Sequence, residues 1–308
     1  MILILRKTQQ ADRLAEVKLV RHGDWINVID PSEKEIQELV NKYKVPAEFV
    51  HASLDLKERS RIDTVKNWKL FIIRIPVKKE TKFLIIPIGV VVNEYNIITI
   101  CAKENEVVNR FLTDKMNGFY TSKRTRFLLY LIKNANYYFD RYVEELQEIT
   151  TRVEHRLLHS QANAEVISFL EIQKTITYFH SALINNGMLF EKIIVNKKIE
   201  IFPADKEILE DMIIENKELL ETVTIFMNNI NSTMDAYASV ISNNLNITMK
   251  FLTSLTIILN LPNIITSFYG MNVKLPMAQD PMAYLTILLL CLSLIIFSLY
   301  FFFRKRWL

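Results

Sequence analysis

The chain has 308 residues, half of them hydrophobic, and carries 38 Lys or Arg against 34 Asp or Glu, for a formal net charge of +4. This length allows two domains of ordinary size. The excess of positive charge is small, and acidic and basic residues are interleaved along the chain. This excludes the concentrated positive surface of nucleic-acid-binding proteins, so we expect no nucleic-acid partner.

Residues 1–115 predict a cytosolic α/β domain built on a mixed sheet. The last three predicted strands are apolar almost throughout, as is typical of strands buried on both faces. Asn93 to Asn96 predicts a tight turn, and hence antiparallel pairing of the strands on either side. Ser32 and Glu35 are spaced as a capping box at the start of a helix. The predicted strands lie near 1–7, 13–20, 25–30, 69–77, 83–92 and 96–102.

Helical patterns replace the strand pattern in residues 116–202. Two long helices are predicted, at about 122–159 and 163–196, because few glycines interrupt the region. Pro203 suits the first turn of a further helix. Its pattern continues through Pro262 to Met271, which would extend about 100 Å at about 1.5 Å per residue. We interpret residues 203–250 as a stalk helix that joins the cytosolic domain to a membrane.

Residues 251–273 carry no charge, and about 20 apolar residues suffice to cross a bilayer. Polar side chains nevertheless recur there at alternating steps of three and four, which keeps them on one face of a helix. Such a stripe should face protein or water. It predicts either a hydrogen-bonded seam between helices or the lining of a pore. The stripe consists of Asn246, Met249, Thr253, Thr256, Asn260, Asn263, Ser267 and Gly270.

Residues 283–303 form a second uncharged segment with no sustained polar stripe, and we expect this span to face lipid. The tail, residues 304–308, contains Arg304, Lys305 and Arg306, which predict a cytoplasmic C-terminus. Two spans return the N-terminal region to the same side, so both termini are expected in the cytoplasm and residues 274–282 form an outer loop. Cys101 and Cys291 lie in apolar runs, where no disulfide is expected.

Tyr269, Gly270, Met271 and Asn272 stand at the end of the first span, before a short loop, a second span and a basic terminus. This arrangement resembles the CorA magnesium transporter family, whose signature is Gly-Met-Asn. The segment 54–63 resembles a stretch of the same family. The resemblance covers almost all of the chain and is most specific over 246–276. It implies an α+β homopentamer with a mixed α/β/α cytosolic domain, a helical stalk and two C-terminal transmembrane helices.

The resemblance also implies a channel of the inner or plasma membrane that admits hydrated Mg²⁺, and also Co²⁺ or Ni²⁺. The selectivity filter would be Gly270, Met271 and Asn272, with a ring of Asn272 side chains accepting hydrogen bonds from the ion's waters. Deeper polar rings would keep the pore wet, and two apolar positions near the inner end would form a constriction. The expected pore-lining residues are Asn246, Met249, Leu252, Thr253, Thr256, Asn260, Asn263 and Ser267.

Closure by intracellular Mg²⁺ bound between subunits is a further implication of the resemblance. Counting back from the Gly-Met-Asn motif along an uninterrupted helix places Asp211 at the family's stalk ligand. The position of the partner carboxylate is occupied here by uncharged or imidazole side chains, and Asp55 is the nearest substitute. The alternative is that the stalk acids form only a solvated helix face.

Two alternative functions remain open. Lys274 follows the motif and Asp280 is the one acid of the outer loop, a composition compatible with the zinc transporter branch of the same fold. A membrane-tethered scaffold with a degenerate pore is the other alternative. The sequence contains no Walker loop, nucleophile elbow, HExxH or CxxC motif, so we expect neither enzyme chemistry nor an organic cofactor. The expected partners are other copies of the chain, membrane lipid and divalent cations.

Overall fold

The structure, a computed structural model, describes residues 1–113, 115–116, 118–159, 163–195, 201–273, 275–276 and 281–307. The chain divides into two compact units, Met1–Ile230 and Asn231–Leu308. The strands are β1 Ile2–Thr8, β2 Ala11–Glu16, β3 Trp25–Ile29, β4 Arg61–Val65, β5 Trp68–Lys79, β6 Lys82–Val92 and β7 Ile97–Cys101. The helices are α1 Glu33–Asn41, α2 Ala47–Leu54, α3 Glu106–Leu112, α4 Arg124–His159, α5 Asn163–Val195, α6 Pro203–Tyr269 and α7 Ala283–Arg304.

The first unit contains a seven-stranded sheet in the order β2-β1-β3-β7-β6-β5-β4. Strands β3 and β7 are parallel, and the other neighbours are antiparallel, so the predicted mixed sheet is confirmed. The predicted turn between β6 and β7 is also present. The Asn93 N–H donates to the Asn96 carbonyl at 3.2 Å, and the Asn93 side chain accepts from the Asn96 N–H at 2.7 Å.

Helices α1 and α2 cover one face of the sheet. The predicted capping box is confirmed at α1, where the Glu35 carboxylate accepts from the Ser32 N–H at 2.9 Å. This bond to the backbone of Ser32 is the main cause of the lowered pKa of Glu35. Helix α2 was not predicted, because it is short and its apolar pattern resembles a strand; it buries Phe49 and Val50 in the core beneath it.

The opposite face of the sheet carries α4 and α5, with α3 beside α4. Aromatic rings fill part of this layer, with Trp25 and Phe127 4.9 Å apart and Phe111 and Phe119 5.0 Å apart between ring centroids. Beneath them the Trp25 indole N–H donates to Thr99 Oγ1 at 2.8 Å. The layers are therefore helix, sheet and helix, as expected. The predicted helices at 122–159 and 163–196 are α4 and α5.

The first part of α6 belongs to the same unit and begins at Pro203 as predicted. The buried Asp205 carboxylate accepts from Arg126 Nε of α4 at 2.5 Å. About two turns further along α6, the Asn136 amide of α4 donates to the Met212 carbonyl at 3.0 Å. These bonds fix the start of α6 against α4, because breaking either would leave a buried polar group without its partner.

One strand prediction was wrong in part, and one strand was missed. The strand predicted at 13–20 is β2, which ends at Glu16. Strand β4 was missed, because it is a charged edge strand without an apolar run; Arg61 forms ion pairs with Glu58 at 3.2 Å and Asp63 at 2.8 Å. It turns into β5 through Lys66, whose φ of 53° lies in the left-handed region.

Gly89 of β6 is required by the packing of α2. A Cβ at this position would lie 1.8 Å from Ser53 Oγ and 2.5 Å from Ser53 Cβ, and Ser53 is fully buried. We expect Gly89→Ala to destabilise the protein by about 1–3 kcal/mol, the usual cost of overpacking a core. Thermal unfolding of the full-length protein measures this.

The matched control is the double variant Ser53→Gly with Gly89→Ala, compared with Ser53→Gly alone. Removing the serine side chain should cancel most of the cost of Gly89→Ala, so the two changes should be strongly non-additive. An unchanged unfolding temperature for Gly89→Ala would contradict the packing of α2 on β6.

Candidate functional site

Within the described residues, two helices are long and apolar enough to cross a membrane, α6 and α7. Helix α6 ends at Tyr269, two residues before the predicted end at Met271, and the chain then turns. The turn tightens because the Met271 N–H bonds to the carbonyl of Phe268, three residues back, at 3.2 Å. Gly270, Met271 and Asn272 therefore follow the helix rather than forming its last turn.

One face of the C-terminal half of α6 is covered within its own chain. Ser254 is fully buried and Ile258 nearly so, and the same face continues through the half-buried Pro262 and Ile265. On α7 the buried side chains are Cys291, Ser298 and Phe302, at helical spacing. Since α6 and α7 are the helices of the unit Asn231–Leu308 in its described part, we infer that these two faces pack on each other.

The predicted polar stripe lies on the other side of α6. At about 3.6 residues per turn, its centre is roughly 180° around the helix from the face that contains Ser254 and Ile258. The stripe is therefore not a hydrogen-bonded seam with α7, and it needs water or another copy of the chain to cover it. All eight predicted pore-lining side chains are exposed: Asn246, Met249, Leu252, Thr253, Thr256, Asn260, Asn263 and Ser267.

The polar side chains of this face present hydrogen-bond acceptors. The Thr256 hydroxyl donates to the Leu252 carbonyl of its own helix at 2.8 Å, so its oxygen keeps lone pairs for an outside donor. The amides of Asn260 and Asn263 add carbonyl oxygens. Waters bound to a cation point their hydrogens outward, so acceptors of this kind suit a hydrated ion. From Ala236 to Val273 the sequence has no carboxylate, which leaves this face without a strong cation ligand.

The Gly-Met-Asn motif after α6 is exposed, and Tyr269, the residue before it, forms a hydrogen bond with the outer loop. Gly270, Met271 and Asn272 are all exposed, and the Tyr269 hydroxyl donates to the Pro276 carbonyl at 3.5 Å. A Cβ on Gly270 would meet the Thr266 carbonyl at 3.4 Å, an ordinary contact. The described part of this chain therefore gives no steric reason for glycine at 270.

Helix α6 is also uncovered below the predicted span. No side chain from Asn231 to Met249 is buried, although several there are large and apolar. Val240, Ile241, Leu245 and Ile247 are about half exposed, at 47%, 50%, 61% and 56%. If this segment lies outside the membrane, as predicted, exposed apolar side chains in this number indicate association with another molecule.

The residues predicted to bind a regulatory ion are both exposed. Asp211 lies on α6 beside the buried Met212, and its carboxylate points away from the packed face. Asp55 follows α2, and its carboxylate accepts from the Lys57 N–H at 2.9 Å. Among the described residues, no group of three or more His, Cys, Asp or Glu side chains could hold a metal ion. Binding at Asp211 would need ligands from a second copy, and the site remains a prediction.

The outer loop falls largely outside the described residues. Lys274 and the stretch 277–280, which contains Asp280, are among the residues that the structure does not describe. The zinc-transporter alternative, which was drawn from the composition of this loop, is therefore based on sequence alone.

The sequence model of the family described as CorA-like Mg²⁺ transporter protein matches residues 21–306. The chain belongs to this family. The cobalt/magnesium transport protein CorA of Methanocaldococcus jannaschii is 26% identical over 292 residues, which is 92% of this chain and 90% of that protein. The resemblance stated from the Gly-Met-Asn motif is confirmed, and CorA membership makes this protein a divalent-cation transporter of a membrane.

Solved structures of the CorA fold agree with the architecture. The complete CorA magnesium transporter of M. jannaschii matches with a TM-score of 0.84 at 22% identity, covering 100% of this chain and 99% of that one. The cytoplasmic domain of ZntB from Vibrio parahaemolyticus matches with a TM-score of 0.63 at 11% identity, covering 78% of this chain and 98% of that one. The match to the complete transporter confirms the predicted mixed-sheet domain, long helix and two apolar C-terminal helices.

The two faces of α6 can be distinguished by thiol labelling. Cysteine at Thr256 or Asn260 should react with a water-soluble methanethiosulfonate reagent at least about tenfold faster than cysteine at Ser254 or Ile258, because reaction requires a thiolate and burial in apolar surroundings suppresses it. The wild type provides the background, since both native cysteines are buried. Equal rates on the two faces would contradict the packing of α7 against Ser254.

Proposed function

We propose that this CorA family member is a homopentameric channel that admits Mg²⁺, with Co²⁺ and Ni²⁺ as further permeant ions, and that closes when intracellular Mg²⁺ rises. The observation that carries the proposal is the acceptor-rich face of α6. It is uncovered in the chain, lies opposite the face that packs on α7, and leads to the exposed Gly270, Met271 and Asn272.

The need for several copies comes from the number of lining helices. Each chain supplies a single helix with a polar face, and one helix cannot enclose a water-filled path. Placing the polar stripe of α6 toward a shared axis leaves α7 outside, where its exposed Leu, Ile and Phe side chains contact lipid. The number five is the one implied by the family resemblance. The exposed apolar residues at 240–247 would then be covered by neighbouring copies.

The mechanism that we propose keeps the first water shell of the ion. Mg²⁺ holds six waters in octahedral geometry and loses them reluctantly, so the mouth of the pore should bind the hydrated ion. A ring of Asn272 amide oxygens accepts hydrogen bonds from those waters without the tight binding of a carboxylate. Thr256, Asn260 and Asn263 provide further acceptors along the path, and Met249 with Leu252 forms an apolar constriction that closes by losing its water.

The proposed orientation places both termini in the cytoplasm of a cell with the protein in its inner or plasma membrane. Arg304 is the last residue of α7, and Lys305 and Arg306 follow it directly. All three would remain on the inner side. Trp307 stacks on Phe302 with ring centroids 5.7 Å apart, and an aromatic pair at this position suits the boundary between lipid and water.

Zinc transport is the second candidate. Lys274, two residues after Asn272, would lower the concentration of cations at the mouth of the pore. A positive residue there is less suited to a channel that depends on attracting Mg²⁺ than to a transporter driven by protons. The likeness to ZntB is one of fold, so metal competition in an uptake assay must decide between the two.

Replacing the filter amide should remove transport without unfolding the protein. We expect Asn272→Ala to reduce Mg²⁺ uptake to background in a magnesium-requiring strain, because every subunit loses its acceptor at the mouth of the pore. Asn41→Ala, the same chemical change at an exposed position of α1, should transport like the wild type. Native mass spectrometry should show five copies in both variants.

Undiminished uptake by a correctly assembled Asn272→Ala protein would overturn the assignment of the filter. A protein that exists as a stable monomer or dimer would overturn the proposed pore. The scaffold alternative predicts instead that the wild type itself fails to restore uptake.

Regulation by internal Mg²⁺ is tested at Asp211. We expect Asp211→Ala to raise the Mg²⁺ concentration for half-inhibition by at least about tenfold, a loss that removal of even an outer partner of a metal ligand can cause. Patch recordings with stepped internal Mg²⁺ measure it, and Glu221→Ala on the same helix is the control. If Asp55 shares the ion, the double variant should be no more affected than the stronger single one. Unchanged inhibition in Asp211→Ala would show that the stalk acids are only a solvated face.

A further inference from the structure

A large cleft lies within the first unit, where the sheet meets α4 and α5. It has a volume of about 1010 Å³, at the upper end of the roughly 300–1,000 Å³ typical of small-molecule sites. Its walls come from the loop after α2, Arg74 of β5, the turn into β6 with the start of that strand, and the facing sides of α4 and α5. No part of the proposed ion path contributes to it.

The charges of this cleft are strongly segregated. Its described lining contains six cationic side chains and a single carboxylate, that of Glu171, although acids and bases are nearly balanced over the whole chain. None of the six forms an ion pair with a described carboxylate. We call this the basic cleft; its cations are Lys57, Arg59, Arg74, Lys82, Arg156 and Lys174.

The inner end of the basic cleft is rigidly built. Strand β4 begins at Arg61, opposite Ile72 of β5, and so does not pair with Arg74. The Asn186 side chain of α5 takes the place of the missing strand there. Its amide donates to the Arg74 carbonyl at 2.8 Å, and its oxygen accepts from the Arg74 N–H at 3.0 Å and from Ser60 Oγ at 2.7 Å. The backbone that carries Arg74 is therefore held by α5.

Arg74 itself is half-buried without a carboxylate partner. Its guanidinium donates to the Glu58 carbonyl at 2.8 Å, and burial lowers its pKa. A guanidinium that is partly removed from water gains most from an anion, which it can bind through two parallel hydrogen bonds.

The floor between the cations is apolar. Leu146 and Val153 of α4 and Ile172 of α5 are buried there, and the Tyr178 ring of α5 stands at the side with Lys174 5.9 Å from its centroid. A small inorganic anion would leave this surface exposed. A ligand with several negative charges and a flat organic group would use both parts of the cleft.

We propose that the basic cleft binds a nucleoside polyphosphate, with the phosphates held by the ring of lysine and arginine side chains and the base covering the apolar floor. This site is separate from the ion path, and its occupation is measured by binding rather than by transport. Its test is therefore independent of the proposed channel function.

The test is calorimetric titration of the full-length protein in detergent, without divalent cations, using ATP, tripolyphosphate and adenosine as probes. ATP should bind most tightly, tripolyphosphate more weakly, and adenosine not detectably. Arg59→Gln and Lys174→Gln should each weaken ATP binding by at least about tenfold, since each removes a hydrogen bond to a charged group. Glu171→Gln should tighten ATP binding severalfold by removing a like charge.

Lys34→Gln on α1 is the matched control, because Lys34 is exposed on the helix layer across the sheet; it should bind ATP like the wild type. Equal affinity for ATP and tripolyphosphate would overturn the assignment to a nucleotide. Absence of binding by both anions at low salt, or binding that Arg59→Gln and Lys174→Gln leave unchanged, would overturn the basic cleft as their site.

Discussion

A polar face on a helix that crosses a membrane must be covered by water or by protein, and the proposed assembly of this protein depends on that constraint. One side of α6, which contains Ser254 and Ile258, is buried within the chain, and we infer that α7 covers it. The chain leaves the other side, with Thr256, Asn260 and Asn263, uncovered. Because unmet amides in hydrocarbon cost several kcal/mol each, about 4 or more by transfer to a fully apolar phase, these side chains cannot face lipid. Assembly of several chains around a shared, wet axis removes the cost.

In the first unit, buried polar contacts fix the positions of the helices. Asp205 with Arg126, and Asn136 with the Met212 carbonyl, fix the start of α6 on α4. Asn186 fixes α5 on the edge of β5 in the same way. Each of these groups would be costly if left unpaired, so they select one arrangement of helices on the sheet. The proposed regulatory carboxylate, Asp211, lies on α6 between two of these contacts.

The sequence predicted the elements that have a long periodic pattern or a specific motif. It did not predict the features that depend on tertiary contacts. The polar stripe and the Gly-Met-Asn motif indicated the family, and the breaker-free stretches gave α4, α5 and α6 nearly to their ends. Helix α2 was missed because a segment of eight residues is too short to show a clear period, and β4 because its charged side chains are paired on an edge strand. The basic cleft had no signal, since Lys57, Arg74 and Lys174 are far apart in sequence and only the fold brings them together.

The most direct test of the central claim is ion flux through the purified protein in liposomes that enclose a Mg²⁺-sensitive dye. If α6 lines a pore, Mg²⁺ should enter rapidly down its gradient, without any imposed proton gradient, and Co²⁺ should compete with it. That result would mean that the uncovered face of α6 lines a path for a hydrated ion. Vesicles that stay closed to Mg²⁺, or that take up Zn²⁺ only when protons flow with it, would contradict the account.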